Sequence, residues 1–249
     1  VNITDLIPVM LLVLLGAALL TGASILFWAF HVRRKQVTAA PPSPAPELFA
    51  AVRAVPAFAA CPVSWLAIRS RNLRTVQNTL RLSNPHPCRL IQGLAQEQKL
   101  FIAPPVQGWI LVTGSGLPDP GDDIDALFRF LVNISRKLGH VQYFHAHRIL
   151  GHHGWARVEN GRVLRGYAWA GRTLWNQGVK SRPELELGFR CFQYFDSEDG
   201  PDFENPDSLT GNVEKIPLLA ARWSIDPTSI DERTLEHACG VAGEPPRLY

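Results

Sequence analysis

From Leu6 to Phe30 the chain runs 25 residues without an ionisable side chain. No other feature constrains it as strongly. At 1.5 Å per residue a helix of this length exceeds the roughly 20 residues needed to cross a ~30 Å hydrocarbon layer. Fourteen of the positions are Leu, Ile, Val or Phe. Each favours mid-membrane insertion by about 0.3–0.6 kcal/mol, which together outweighs Pro8 and the few hydroxyls. Pro8 falls in the first turn, where its missing N–H removes no helical hydrogen bond. The flank before the run carries Asp5 and no basic residue, and the run is longer than a signal-peptide core. The expectation is a single transmembrane helix over residues 6–30.

His31, Arg33, Arg34 and Lys35 follow directly, and basic residues at a helix end stay in the cytoplasm. This places residues 1–5 outside and the rest of the chain inside. Cys61, Cys88, Cys191 and Cys239 form no C-x-x-C pair and suit reduced thiols. Within the apolar run, Ala17 with Thr21 and Ala18 with Gly22 form small-x-x-x-small pairs. Such pairs let helix backbones approach closely in lipid, so this face is expected to pack on a partner helix.

Residues 31–58 read as a basic flank and a linker. VTAAPPSPAP, from Val37 to Pro46, holds four prolines and no charge, and is expected to be extended. Glu47–Phe58 reads as a short helix ended by Pro56. Beyond lies an α+β domain over residues 59–180 with a C-terminal extension over 181–249 packed on it.

Several elements of that domain are legible. Ser64–Arg69 reads as a strand and Asn72–Leu82 as a helix, which SNPHP at Ser83–Pro87 breaks. Lys99–Ala103 and Trp109–Thr113 read as a hairpin across PPVQG. Ile124, Leu127, Phe128, Leu131, Ile134 and Leu138 share helical spacing after a capping Asp122 or Asp123, and Gly139 follows as a stop. Val141–His147 is a strand. Trp155–Val158 and Arg162–Trp169 form a hairpin across Asn160-Gly161, a type I′ turn signal. The order predicts a ferredoxin-like antiparallel sheet with helices on one face and an added hairpin. Phe189–Phe195 reads as an edge strand, Asp196–Asp207 as an exposed acidic loop, and Val213–Trp223 as a short helix.

Five of the eight histidines lie between His140 and His153. On a strand, His145 and His147 face the same way, as an H-x-H metal pair requires, and His152 or His153 supplies a third imidazole. Three imidazoles hold zinc with a position left for water. No general base stands beside them in sequence, so a metal-dependent enzyme or sensor is the alternative rather than the leading expectation. Gly114-Ser115-Gly116 follows a strand, but Asp119, Asp122, Asp123 and Asp125 oppose a phosphate at the next helix. Ser115 lacks the G-x-S-x-G context of a hydrolase elbow.

A formal net charge of +3 with dispersed arginines falls short of a nucleic-acid footprint. Tryptophans first of all fill cores, but Trp155 and Trp169 on a protruding hairpin, near Arg165 and Tyr167, are the best candidates for a docking surface. GWILVTGSGLPDP, HGWARVENGRVLRGYAWAG and ARWSIDPTSI resemble a group of uncharacterised bacterial proteins over about residues 61–230. The resemblance implies bacterial origin and little else, since it brings no established activity with it. The sequence as a whole predicts a membrane-anchored, non-catalytic accessory or scaffolding subunit with no cofactor. Its expected partners are other membrane-protein subunits and lipid, not nucleic acid. A membrane-tethered sensor that binds a small ligand or a peptide is the third possibility.

Overall fold

The structure, a computed structural model, describes residues 62–95, 98–194 and 206–245. The expected transmembrane helix, its Ala17/Ala18/Thr21/Gly22 face, the linker and Cys61 lie outside the described residues. No helix among the described residues is long and apolar enough to cross a membrane.

The chain is α+β, built on one nine-stranded antiparallel sheet. Strand β1 (Ser64–Arg69) leads to α1 (Leu73–Leu80), β2 (Ser83–Arg89) and α2 (Leu90–Leu94). Then come β3 (Leu100–Ile102), β4 (Trp109–Thr113), α3 (Ile124–Leu138) and β5 (His140–His147). Strands β6 (His152–Glu159), β7 (Arg162–Trp169) and β8 (Thr173–Gln177) extend the sheet as a meander. The chain closes with α4 (Arg182–Glu186), α5 (Pro206–Trp223), α6 (Glu232–His237) and β9 (Cys239–Glu244). Across the sheet the order is β2-β9-β3-β4-β1-β5-β6-β7-β8.

Local chemistry accounts for the best-formed elements. Helix α3 starts at Asp123, whose carboxylate accepts the Ala126 N–H at 2.8 Å, and ends at Gly139, whose φ is 77°. Asn160 and Gly161 both have positive φ, so the β6–β7 turn has the type I′ form that matches strand twist. Gln107 and Gly108 turn the β3–β4 hairpin in the same way.

Two expectations fail for identifiable reasons. SNPHP does not break into a loop but runs through β2. Prolines cannot donate to a sheet ladder, and β2 is an edge strand paired only with β9, so Pro85 and Pro87 are tolerated there. Residues 189–194 form no strand, and Phe195 lies outside the described residues. The edge on that side is β8 instead.

Helices on one face is also corrected: both faces are covered. Leu66, Ile68, Val112, Val141, Tyr143 and Val158 pack with Leu80, Leu127, Leu131 and Ile134 of α1 and α3. The alternate residues Trp65, Ala67, Phe144, Trp155, Tyr167 and Trp169 pack with α2, α5 and α6 through Leu90, Val213, Ile216, Leu219 and Leu235. A sheet apolar on both faces must be covered on both, and the segment from α4 to α6 supplies the second cover.

Strand β9 returns between β2 and β3. Its seat is made by Phe101, whose ring lies on the bare backbones of Gly93 and Gly240. A Cβ at Gly240 would overlap the Ile102 carbonyl oxygen and crowd the Phe101 ring. Gly240→Ala should therefore destabilise the fold by about 3 kcal/mol, an overpacking cost, seen as a lower urea midpoint at unchanged slope.

Candidate functional site

The expected docking quartet is interior. Trp155 and Tyr167 are fully buried, Arg165 is 3% exposed and Trp169 6%. Antiparallel pairing sets Trp155 opposite Tyr167, and strand alternation puts both on the face that α4 and α5 cover. The Trp155 ring lies 4.5 Å from that of Phe189, tilted by 59°, and Phe189 belongs to the segment after α4. A docking surface formed by these four residues is thus overturned: the chain's own C-terminal part occupies it.

A buried ion pair ties this layer down. Arg165 Nε donates to Glu184 Oε1 at 2.8 Å, and Trp155 Nε1 donates to the same oxygen at 2.8 Å. The other carboxylate oxygen accepts the Ser181 N–H at 2.7 Å, while the Ser181 hydroxyl accepts the Glu184 N–H, a reciprocal capping box that starts α4. Arg165 Nη1 reaches the Gly166 and Gln177 carbonyls and Asn176 Oδ1. Its Nη2 donates to Cys191 Sγ at 3.3 Å. Burial pushes the Cys191 thiol up to about 11 and the Tyr167 phenol up to about 12, so both stay protonated and neutral. Removing one partner leaves an uncompensated buried charge, so Glu184→Gln should cost about 3–5 kcal/mol in a urea titration. The double variant Arg165→Met/Glu184→Met should recover part of that loss.

The four histidines do not share a face. His145 and His147 alternate with Phe144 and Ala146, and His147 pairs across the ladder with His152. These three lie at one end of the α1/α3 face, with ring centroids 6.5 Å (His145–His147) and 6.3 Å (His147–His152) apart. His153 projects from the opposite face, between the rings of Trp155 and Trp169 at 6.1 and 5.5 Å. Strand alternation, which correctly joined His145 to His147, also separates His152 from His153. Among the described residues no group of three or more His, Cys, Asp or Glu comes together to hold a metal ion.

Ser64 and Asp119, neither of which the sequence placed with the histidines, join this end of the sheet. Ser64 Oγ and His145 Nδ1 share a hydrogen bond of 2.8 Å, and Asp119 Oδ2 stands 4.0 Å from His145 Nε2. Ser64 faces His145 because β1 pairs with β5, a long-range register that no local signal encodes. Asp119 caps its own loop by accepting the Gly121 N–H at 2.7 Å. The Gly116 N–H is spent on the Lys99 carbonyl at 2.7 Å, so Gly114–Gly116 forms no open anion cradle.

Both buried imidazoles are held neutral. Desolvation pushes His145 down to about 4, with Asp119 opposing and His147 and His152 reinforcing the shift. Desolvation likewise pushes His153 down to about 4, opposed by its bond to the Gly151 carbonyl. A single neutral tautomer of His153 serves both its neighbours: Nδ1 donates to Gly151 O at 2.9 Å and Nε2 accepts from Asn212 Nδ2 at 3.1 Å. A proton on Nε2 would face the Asn212 amide as a second donor. These folded values lie below the usual 6.5, so the unfolded chain binds more protons between them. Stability should fall as pH drops from about 6.5 to 4, by at most about 3 kcal/mol per histidine. Urea midpoints measured from pH 7 to 4 check this, and His153→Gln should flatten part of the slope.

No family model matches the chain, and no curated protein or solved structure is significantly similar to it.

Proposed function

We propose that the chain is a membrane-anchored accessory subunit of a bacterial inner-membrane assembly, non-catalytic, with the described domain on the cytoplasmic side. The anchor rests on the 25-residue uncharged run, and the orientation on Arg33, Arg34 and Lys35. We further read β5-β1-β4-β3 with α1 and α3 as two split β-α-β units, a ferredoxin-like core to which the other strands are added.

One observation carries the accessory role. The turn between β5 and β6 presents two adjacent apolar side chains to solvent, Ile149 at 92% and Leu150 at 57% exposure. The turn is held in place: the Leu150 N–H donates to His147 Nδ1 at 3.2 Å, and Arg148 pairs with Glu214 at 3.2 Å. A fixed apolar tip offers a partner contact area at small ordering cost. This shifts the docking role from the buried Trp155/Trp169 hairpin to the neighbouring turn. Full-length protein drawn from its native membranes in mild detergent should elute with other subunits. Ile149→Asp/Leu150→Asp should lose them while keeping the wild-type urea midpoint. A lone monomer, or a variant that keeps its subunits, would count against the proposal.

The metal-dependent alternative keeps one supporting observation. His145 Nε2 is buried, has no hydrogen-bond partner among the described residues, and stands beside Asp119, with His147 and His152 near. Elemental analysis of the purified chain decides it. Zinc well below one per chain would remove this reading.

A further inference from the structure

A cavity of about 530 Å³ opens between the C-terminal ends of α1 and α3, within the range of small-molecule sites. Its walls are unequal in character. Leu80, Leu117, Phe130 and Ile134 make an apolar interior, and Arg81, Arg136 and Lys137 stand around it. Among the described residues no acidic side chain lines it. The neighbouring Glu244 is already paired with Lys99 at 3.1 Å.

The cations have an ordinary role to weigh first. Each helix C-terminus carries about −0.5 of a charge, and basic residues in a last turn offset it. Two helix ends amount to about −1 against Arg81 and Lys137, while the Arg136 side chain lies against Gly161, which leaves the mouth about +1. None of the three cations forms an ion pair among the described residues. Dipole compensation therefore uses only part of this charge.

Arg81 adds an independent observation. It occupies the residue just past α1 with φ 51° and ψ 46°, the left-handed region that favours glycine there. Its N–H bonds Asn78 O, and the Leu82 N–H bonds Gln77 O, as in a glycine-terminated helix. An arginine carries backbone strain at this position, and Arg81 is one of the residues that line the cavity. Strain held at a ligand-sized opening points to a use for the side chain.

We propose that this cavity binds a single-chain anionic amphiphile, with the alkyl chain among Leu80, Leu117, Phe130 and Ile134 and the phosphate or carboxylate head at Arg81 and Lys137. The apolar interior favours the chain over water, and the surplus positive charge selects the head. The site does not depend on the accessory-subunit proposal.

The test uses the full chain in phosphatidylcholine nanodiscs and the fluorescent probe dansylaminoundecanoate, followed by energy transfer from tryptophan. Dodecyl phosphate should displace the probe. Dodecanol should do so at least about fivefold less well, and inorganic phosphate should not displace it. Arg81→Gly removes the charge and relieves the backbone at once, so its urea midpoint should stay the same or rise. Asn133→Asp places a carboxylate on the exposed lining without touching the core. Each should weaken probe binding about fivefold, and the pair about twentyfold, as expected for exposed charge contacts that act independently. Equal displacement by dodecanol, displacement by inorganic phosphate alone, or unchanged binding in both folded variants would overturn the site.

Discussion

The buried pair of Arg165 and Glu184 is the constraint on which the second half of the molecule depends. A carboxylate with no solvent exposure is costly unless its charge and lone pairs are met. Here Arg165, Trp155 and the Ser181 N–H meet them together. These partners come from β6, β7 and the start of α4, so the pair forms only when α4 sits on the sheet. Once α4 is fixed, the following segment brings Phe189 against Trp155, and Asn212 of α5 against His153. The aromatic face is closed by these contacts in succession. Polar pairing of this kind specifies one arrangement of the cover more than it adds net stability.

That closure changes what the reactive side chains can do. His153, Cys191 and Tyr167 are neutral, enclosed and hydrogen-bonded, which suits a packed interior and not acid–base chemistry near neutral pH. His145 has the same neutral form on the opposite face, against Ser64. The two surfaces proposed for other molecules differ in kind: an apolar turn at Ile149 and Leu150, and a cavity with cationic residues in its lining.

Where signals were local, the sequence was legible. Helix α3 was readable because its apolar spacing, the Asp123 cap and the Gly139 stop all agree. Asn160-Gly161 fixed the β6–β7 turn, since both residues accept positive φ. Strand β9 was not readable: CGVAGE is short of large apolar residues, and only the close approach of Phe101 and the Ile102 carbonyl to Gly240, and of Leu82 and the Ser83 carbonyl to Gly243, gives its glycines a purpose. The prolines of β2 signalled a break because the sheet edge that tolerates them is a property of topology. The hairpin signal brought Trp155, Arg165, Tyr167 and Trp169 onto neighbouring strands, yet could not show that α4 and α5 cover them. For the histidines strand alternation held the answer, and the error was to count His152 and His153 as interchangeable.

The central claim is that contact with other subunits runs through the exposed turn of the described domain, while the aromatic face is internal cement. Amide hydrogen exchange on the native assembly and on the isolated full chain compares the two most directly. The account predicts that residues 148–151 gain protection in the assembly while the strands carrying Trp155 and Trp169 are equally protected in both. Unchanged exchange at 148–151, or new protection on β6 and β7, would contradict it.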